Sequence, residues 1–163
     1  MTDQLKTLVA QGLQAMKAGS EVAKHATSEI QNDVSDAGLK ALLAKGNATA
    51  EGWARRIEDA IREAGPSEDT GNPIVEAHYD VSKKIRQKAP DATTRDLGII
   101  AAGHLALHYW IAAFGTLRTY AAKAGMMNVQ GAMQACLDEA KQADLQHEEV
   151  SLKIMHSDAR KAA

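Results

Sequence analysis

Three histidines and two acids in this chain have the types and spacing to act together. His104 and His108 stand four residues apart, so on a helix both imidazoles point the same way and can reach one cation. Asp144 and His147 form an Asp-x-x-His pair on another long helical segment, and Glu139 adds a carboxylate to it. If the two segments face each other, His104, His108, Asp144 and His147 can assemble a mononuclear metal site. With Glu139 the set becomes a rearranged site for iron or manganese. The competing reading is plainer: a histidine on an apolar helix is ordinarily a core or edge residue with one hydrogen bond. His108, Asp144 and Tyr109 would then form a residual polar network around a carboxylate that must be paired if it stays charged.

Other constellations carry less. Glu76-Ala77-His78-Tyr79-Asp80 gathers ionisable groups, but residues two apart on a helix do not share a face, so it reads as solvated surface. His147-Glu148-Glu149 lacks a second histidine at metalloprotease spacing. Gly65 to Gly71 follows a helix and lacks the Lys-Ser or Lys-Thr end of a phosphate loop. Cys136 falls on an apolar stripe as a small hydrophobe, and no serine stands in a strand-turn-helix context. Trp53 and Trp110 can stack on a planar ligand, or simply fill volume.

The elements that position these residues follow from the apolar period. Leu5, Leu8, Gly12, Ala15, Gly19, Val22 and Ala26 repeat at steps of three and four, which predicts a first helix over 2–26, interrupted by polar Thr27 to Ser35. Ser35 or Asp36 can cap a second helix with the stripe Leu39, Leu43, Gly46, Ala50, Trp53, Ile57, Ala60 and Ala64, ending at Gly65-Pro66. Residues 67–72 read as loop. Pro73 suits the first position of a shorter helix reaching about Lys88, and Pro90 closes it. Thr93-Thr94-Arg95-Asp96 resembles a capping box opening a helix with the stripe Leu97, Ile100, His104, Leu107, Ile111, Phe114, Arg118 and Ala121, stopped by Gly125. Asn128 can cap the last helix, striped by Val129, Met133, Cys136, Ala140, Ala143, His147, Val150 and Ile154.

Four long helices, each with one apolar face, must bury those faces against one another. The expected fold is an all-α antiparallel four-helix bundle, with a long crossover containing a short extra helix between its two hairpins. Its 163 residues, 45% of them hydrophobic, predict a single domain, 1–163, with one sizeable core. A formal charge of -2 without basic clusters argues against nucleic-acid or anionic-membrane partners. Polar or charged residues are expected to interrupt every apolar run before the ~20 residues of a spanning helix. With one cysteine and no secretory signal pattern, the expected location is cytoplasmic.

A bundle with one long crossover is the ferritin-like arrangement, and the residues add a more specific likeness. Ile100-Ala101-Ala102 and His108-Tyr109-Trp110-Ile111-Ala112-Ala113-Phe114-Gly115-Thr116-Leu117 resemble the signature of the bacterial YciE/YciF family of ferritin-like proteins, which reads Glu-His-Tyr-Glu-Ile-Ala-Ala-Tyr-Gly-Thr-Leu there. Leu137 to Asp144 is similar as well, and Ala50 to Trp53 and Met16 to Thr27 more weakly. The resemblance implies a stress-associated cytoplasmic protein, often a homodimer, whose bundle can house two metals. Gly12 and Gly46 align where the family carries Glu and His. Leu107 and Trp110 replace the two Glu flanking His-Tyr, and Ala140 replaces one of a Glu pair.

The leading expectation is therefore a stress-associated, non-enzymatic structural or interaction module with a degenerate two-metal site and no cofactor. One alternative is an iron- or manganese-dependent oxidoreductase, of ferroxidase or catalase type, using His104, His108, Glu139, Asp144 and His147. Another is a binder of an apolar or planar ligand in volume freed around Gly12, Gly46 and Ala140.

Overall fold

Asp36 and Gly125 make the two tight turns of the fold. The Asp36 side chain accepts the Leu39 N–H at 2.8 Å and starts α2 (Ala37–Ala64), only three residues after α1 (Thr2–Asp33) ends. Gly125 takes a left-handed conformation, φ 77°, and its N–H satisfies carbonyls at the end of α4 (Ala92–Ala124), so that α5 (Met127–Lys161) folds straight back. Between the hairpins, Asn72 caps α3 (Pro73–Lys88), with proline at its first position. The computed structural model describes residues 1–68 and 71–161; residues 69 and 70 of the expected loop over 67–72 lie outside the described residues. Among the described residues every regular element is helical.

Side-chain pairings fix the directions. Gly12 lies against Leu117, and Ser35 against Asp96, so α1 and α4 run antiparallel. Trp53 meets Glu139 and Lys45 meets Gln146, so α2 and α5 do too. Around the bundle the order is α1, α2, α5, α4, with α3 laid over α1 and α4. In this arrangement α2 and α4 are parallel, so α4 starts at the end opposite to where α2 stops. The chain must climb the length of the bundle, and the 16-residue α3 provides most of that climb at ~1.5 Å per residue.

Two apolar clusters fill the bundle. The larger includes Val9, Leu13, Met16, Trp53, Ile57, Trp110, Phe114, Leu117, Met133 and Ala140; the smaller joins Ile30, Leu39, Ile99, Ile100 and Ile154 near the α1–α2 turn. His104, Asp144 and His147 fall between them along α4 and α5.

Three boundaries differ from the expectation. α1 continues through the polar stretch to Asp33, because Thr27 returns its hydroxyl to the Ala23 carbonyl at 2.8 Å and Ile30 is buried in the second cluster. α4 is capped by Asp91, which accepts the Thr94 N–H at 2.7 Å, so Thr93 is already helical and Asp96 is not a capping-box residue. α5 includes Asn128 rather than being capped by it. Polar residues do interrupt the run Leu97 to Leu117, at His104, His108 and Thr116, but no Asp, Glu, Lys or Arg does, and α4 is by length and composition able to cross a membrane. In the bundle its apolar positions Ile99, Ile100, Leu107, Trp110, Phe114 and Leu117 are buried.

A polar seam and an apolar centre as the candidate functional site

Asp144 on α5 sits between two imidazoles of α4. The His104 Nδ1–H donates to Oδ1 at 2.6 Å, and His108 Nε2 lies 3.2 Å from Oδ2. The four-residue spacing of the histidines and the antiparallel run of α4 and α5 produce this convergence. The group lies on the outer seam, where the His108 side chain is 67% exposed and that of Asp144 23%. Tyr109, expected in this network, turns away: its hydroxyl accepts from Asn72 Nδ2 at 2.7 Å.

His147 is adjacent but differently held. Its Nδ1–H donates to the Ala143 carbonyl at 2.8 Å, and its ring centre is 5.8 Å from that of His104. Burial lowers its pKa below the usual histidine value, with the Ala143 bond opposing. The ring fits because residue 103 is glycine: a Cβ there would stand 3.0 Å from both Cδ2 and Nε2 of His147. Sequence reasoning missed Gly103, since its partner is on another helix.

Glu139 belongs to a separate cluster. Both its oxygens pair with Arg56, at 2.7 and 2.9 Å, and one also accepts the Trp53 indole N–H at 2.8 Å. The Arg56 guanidinium, with the indole N–H, holds the Glu139 carboxyl below its usual range. Glu139 therefore does not join His104, His108, Asp144 and His147. Among the described residues, no three His, Cys, Asp or Glu side chains stand in an arrangement ready to hold a metal ion.

The positions aligned with the family's ligands line a differently filled interior. A Cβ on Gly12 would meet Leu117 Cδ2 at 2.7 Å, so Leu117 occupies the space beside that glycine. Trp53, Trp110 and Phe114 pack together, with Trp110 stacked on Phe114 at 5.6 Å and Trp53 edge-on to Phe114 at 5.2 Å. Leu107 and Ala140 are buried in the same cluster. Gly46 differs, for an added Cβ there would meet nothing within 4 Å. Nor do these residues fit the two-metal centre that the resemblance implies. The positions offer no donor beyond Trp110, whose indole N–H cannot ligate, and the nearby Glu139 is already paired.

The crossover cluster also departs from a solvated surface. Glu76 and Asp80 are exposed, but His78 and Tyr79 are half-buried and contact each other edge-on at 5.3 Å. Burial lowers the His78 pKa, with a bond to the Ala102 carbonyl opposing, and raises the Tyr79 phenol to about 12. Both rings line a cavity of about 90 Å³ between α3 and α4 with Ile74, Leu105, Tyr109 and Trp110. Buried polar anchors were missed as well. Asp96 accepts the Ser35 and Asp36 N–H groups, the latter at 2.7 Å, and Arg86 reaches Asp33 at 2.8 Å.

Two antiparallel hairpins, joined by a crossover that spans the bundle, define an all-α ferritin-like protein. The chain belongs to the family described as Domain of unknown function (DUF892), whose model matches residues 4–160. The structure is similar to that of the Escherichia coli stress protein YciF, with a TM-score of 0.88 at 18% identity, covering 93% of this chain and 97% of that one. It is also similar to YcfI from Rhodopseudomonas palustris, provisionally described as structural, with a TM-score of 0.84 at 20% identity over 88% and 92% of the two chains. A search of curated proteins finds no match.

Proposed function

We propose that this protein is a non-enzymatic ferritin-like module of the bacterial cytoplasm, linked to stress and acting structurally or by interaction, as a homodimer and without a resident metal cofactor. The observation that carries the reading is the interior: Leu117 occupies the space beside Gly12, and Trp53, Trp110 and Phe114 pack where the family's ligands would point. The description of YciF as a stress protein and the provisional one of YcfI as structural support the same kind of role. A rearranged oxidoreductase site has less support, because Glu139 is paired with Arg56 away from the histidines. For the dimer, the candidate face is the outer seam of α3 and α4, where Ile74, Leu105 and Val81 are exposed, while Val75 is buried.

The decisive measurement is metal content by mass spectrometry on protein purified without an affinity tag. The expected result is no stoichiometric iron or manganese. Two tightly held iron or manganese ions per chain would overturn the reading. Light scattering should report a dimer, weakened by Leu105→Glu, and a monomer at high concentration would refute that part.

A further inference from the structure

Where α3 crosses α4, four rings converge on one small space. His78 and Tyr79 from α3 and Tyr109 and Trp110 from α4 line the cavity of about 90 Å³ between the two helices, with Ile74 and Leu105 exposed at its mouth. Within each pair the ring planes are close to perpendicular, at 76° and 78°, so the walls come from rings set in different planes. Among the described residues, no lysine, arginine, aspartate or glutamate lines the cavity.

These walls choose their ligand by exclusion. An anion finds no fixed positive charge, because burial lowers the His78 pKa and keeps the imidazole neutral at neutral pH. A primary ammonium or a guanidinium brings N–H groups that need acceptors. The Tyr109 oxygen already accepts from Asn72, and the Ala102 carbonyl from His78. A quaternary ammonium has no N–H and is drawn to the faces of aromatic rings. Size agrees: an apolar cavity of about 150 Å³ takes benzene, so about 90 Å³ takes about four heavy atoms, the content of a trimethylammonium head. Glu76 and Asp80, both exposed and without an ion-pair partner among the described residues, add negative charge to this half of α3.

We propose that the cavity between α3 and α4 binds the trimethylammonium head of a small quaternary ammonium compound such as choline, the rest of the ligand leaving past Ile74 and Leu105. The site is separate from the bundle interior, so metal content, which decides the proposed function, has no bearing on it.

The test is titration of the untagged chain with choline chloride, followed through the methyl NMR signal of choline at constant ionic strength. Its uncharged isostere dimethylbutanol, in which carbon replaces nitrogen, is titrated alongside. Saturable binding of one choline per chain is expected, ~10-fold or more tighter than the isostere. Tyr79→Leu should cut that preference ~3-fold or more, Tyr79→Phe should keep it, and Ala106→Phe, which fills the cavity, should abolish binding. Circular dichroism establishes that each variant is folded, and Ala106→Phe decides if Tyr79→Leu is not. Because Ile74 and Leu105 also belong to the proposed dimer face, light scattering accompanies the titration at two protein concentrations, and binding is expected at the lower one whatever the oligomeric state. No saturable binding of choline, equal binding of the isostere, or a preference unchanged in Tyr79→Leu overturns the proposal.

Discussion

Replacing Gly12 with alanine should destabilise the protein, although the same change in an ordinary helix stabilises it. Gly12 is inside α1, where alanine gains ~1 kcal/mol of helix propensity. Against that, the new methyl would stand 2.7 Å from Leu117 Cδ2, 3.1 Å from Cδ1 and 3.4 Å from Cγ. Both methyls are too near at once, with Cγ already at contact distance, so turning one methyl does not relieve the contact, and Leu117 is 6% exposed, with little room to retreat. Overpacking of this kind costs about 1–3 kcal/mol, so the net expectation is a loss of about 1 kcal/mol. Leu117→Ala alone costs about 2–5 kcal/mol through its cavity. Adding Gly12→Ala to that variant should recover about 1 kcal/mol, because propensity remains and the obstruction is gone. The sign reversal amounts to a coupling of about 2 kcal/mol, well above the scatter of independent sites. Urea unfolding of the four proteins measures it. Equal stabilisation by Gly12→Ala in both backgrounds would show that Leu117 does not close that space, and would remove the main support for a filled interior.

Three further outcomes follow from buried groups. Asp96→Ala should cost about 3 kcal/mol in urea unfolding, because it leaves the Ser35 and Asp36 N–H groups without their acceptor; a loss under ~1 kcal/mol would mean that water replaces it. His147 and His78 both have folded pKa values lowered by burial, so their neutral forms contribute full stability above the unfolded value of ~6.5, and this is lost as pH falls through that value toward the folded one. The urea midpoint should therefore drop between about pH 7 and about pH 5, less steeply in His147→Gln; an unchanged slope in that variant contradicts the assignment. Burial pushes the Cys136 thiol to about 11, so a thiol reagent near pH 8 should label the native chain only as fast as it opens. Labelling at the rate of a free thiol would refute that.

What could be read from the sequence divides along the range of the interaction. The caps at Asp36 and Asn72–Pro73 and the stop at Gly125 are local chemistry, visible within a few residues. The end of α1 was not, because Ile30 is held by packing against α2, α4 and α5, which overrides a polar local composition. The His104, His108 and Asp144 convergence was foreseeable, since helical spacing and an antiparallel hairpin bring those positions together. That Glu139 faces Arg56 instead was not, for nothing in the local pattern says which helix a half-exposed carboxylate will meet. Asp96 did leave a signal: it is the last charge before the uncharged run Leu97 to Leu117, and such a carboxylate needs a partner from outside its own helix.

The polar anchors lie away from the apolar centre of the bundle. Asp96 ties α4 to the α1–α2 turn, Asn72 ties the start of α3 to Ala15 on α1 and Tyr109 on α4, and Arg86 ties the end of α3 to Asp33. Each sits at a junction or end of an element, and together they fix the crossover and the pairing of α1 with α4. None of them is at the positions of Gly12, Gly46, Leu107, Trp110 or Ala140. The topology is therefore specified away from the centre, where only volume and apolarity need to be conserved for the helices to stay packed. Trp53, Trp110, Phe114 and Leu117 are the filling of that frame in this chain. A TM-score of 0.88 at 18% identity is a likeness in fold, and it leaves the chemistry to be decided by the residues inside.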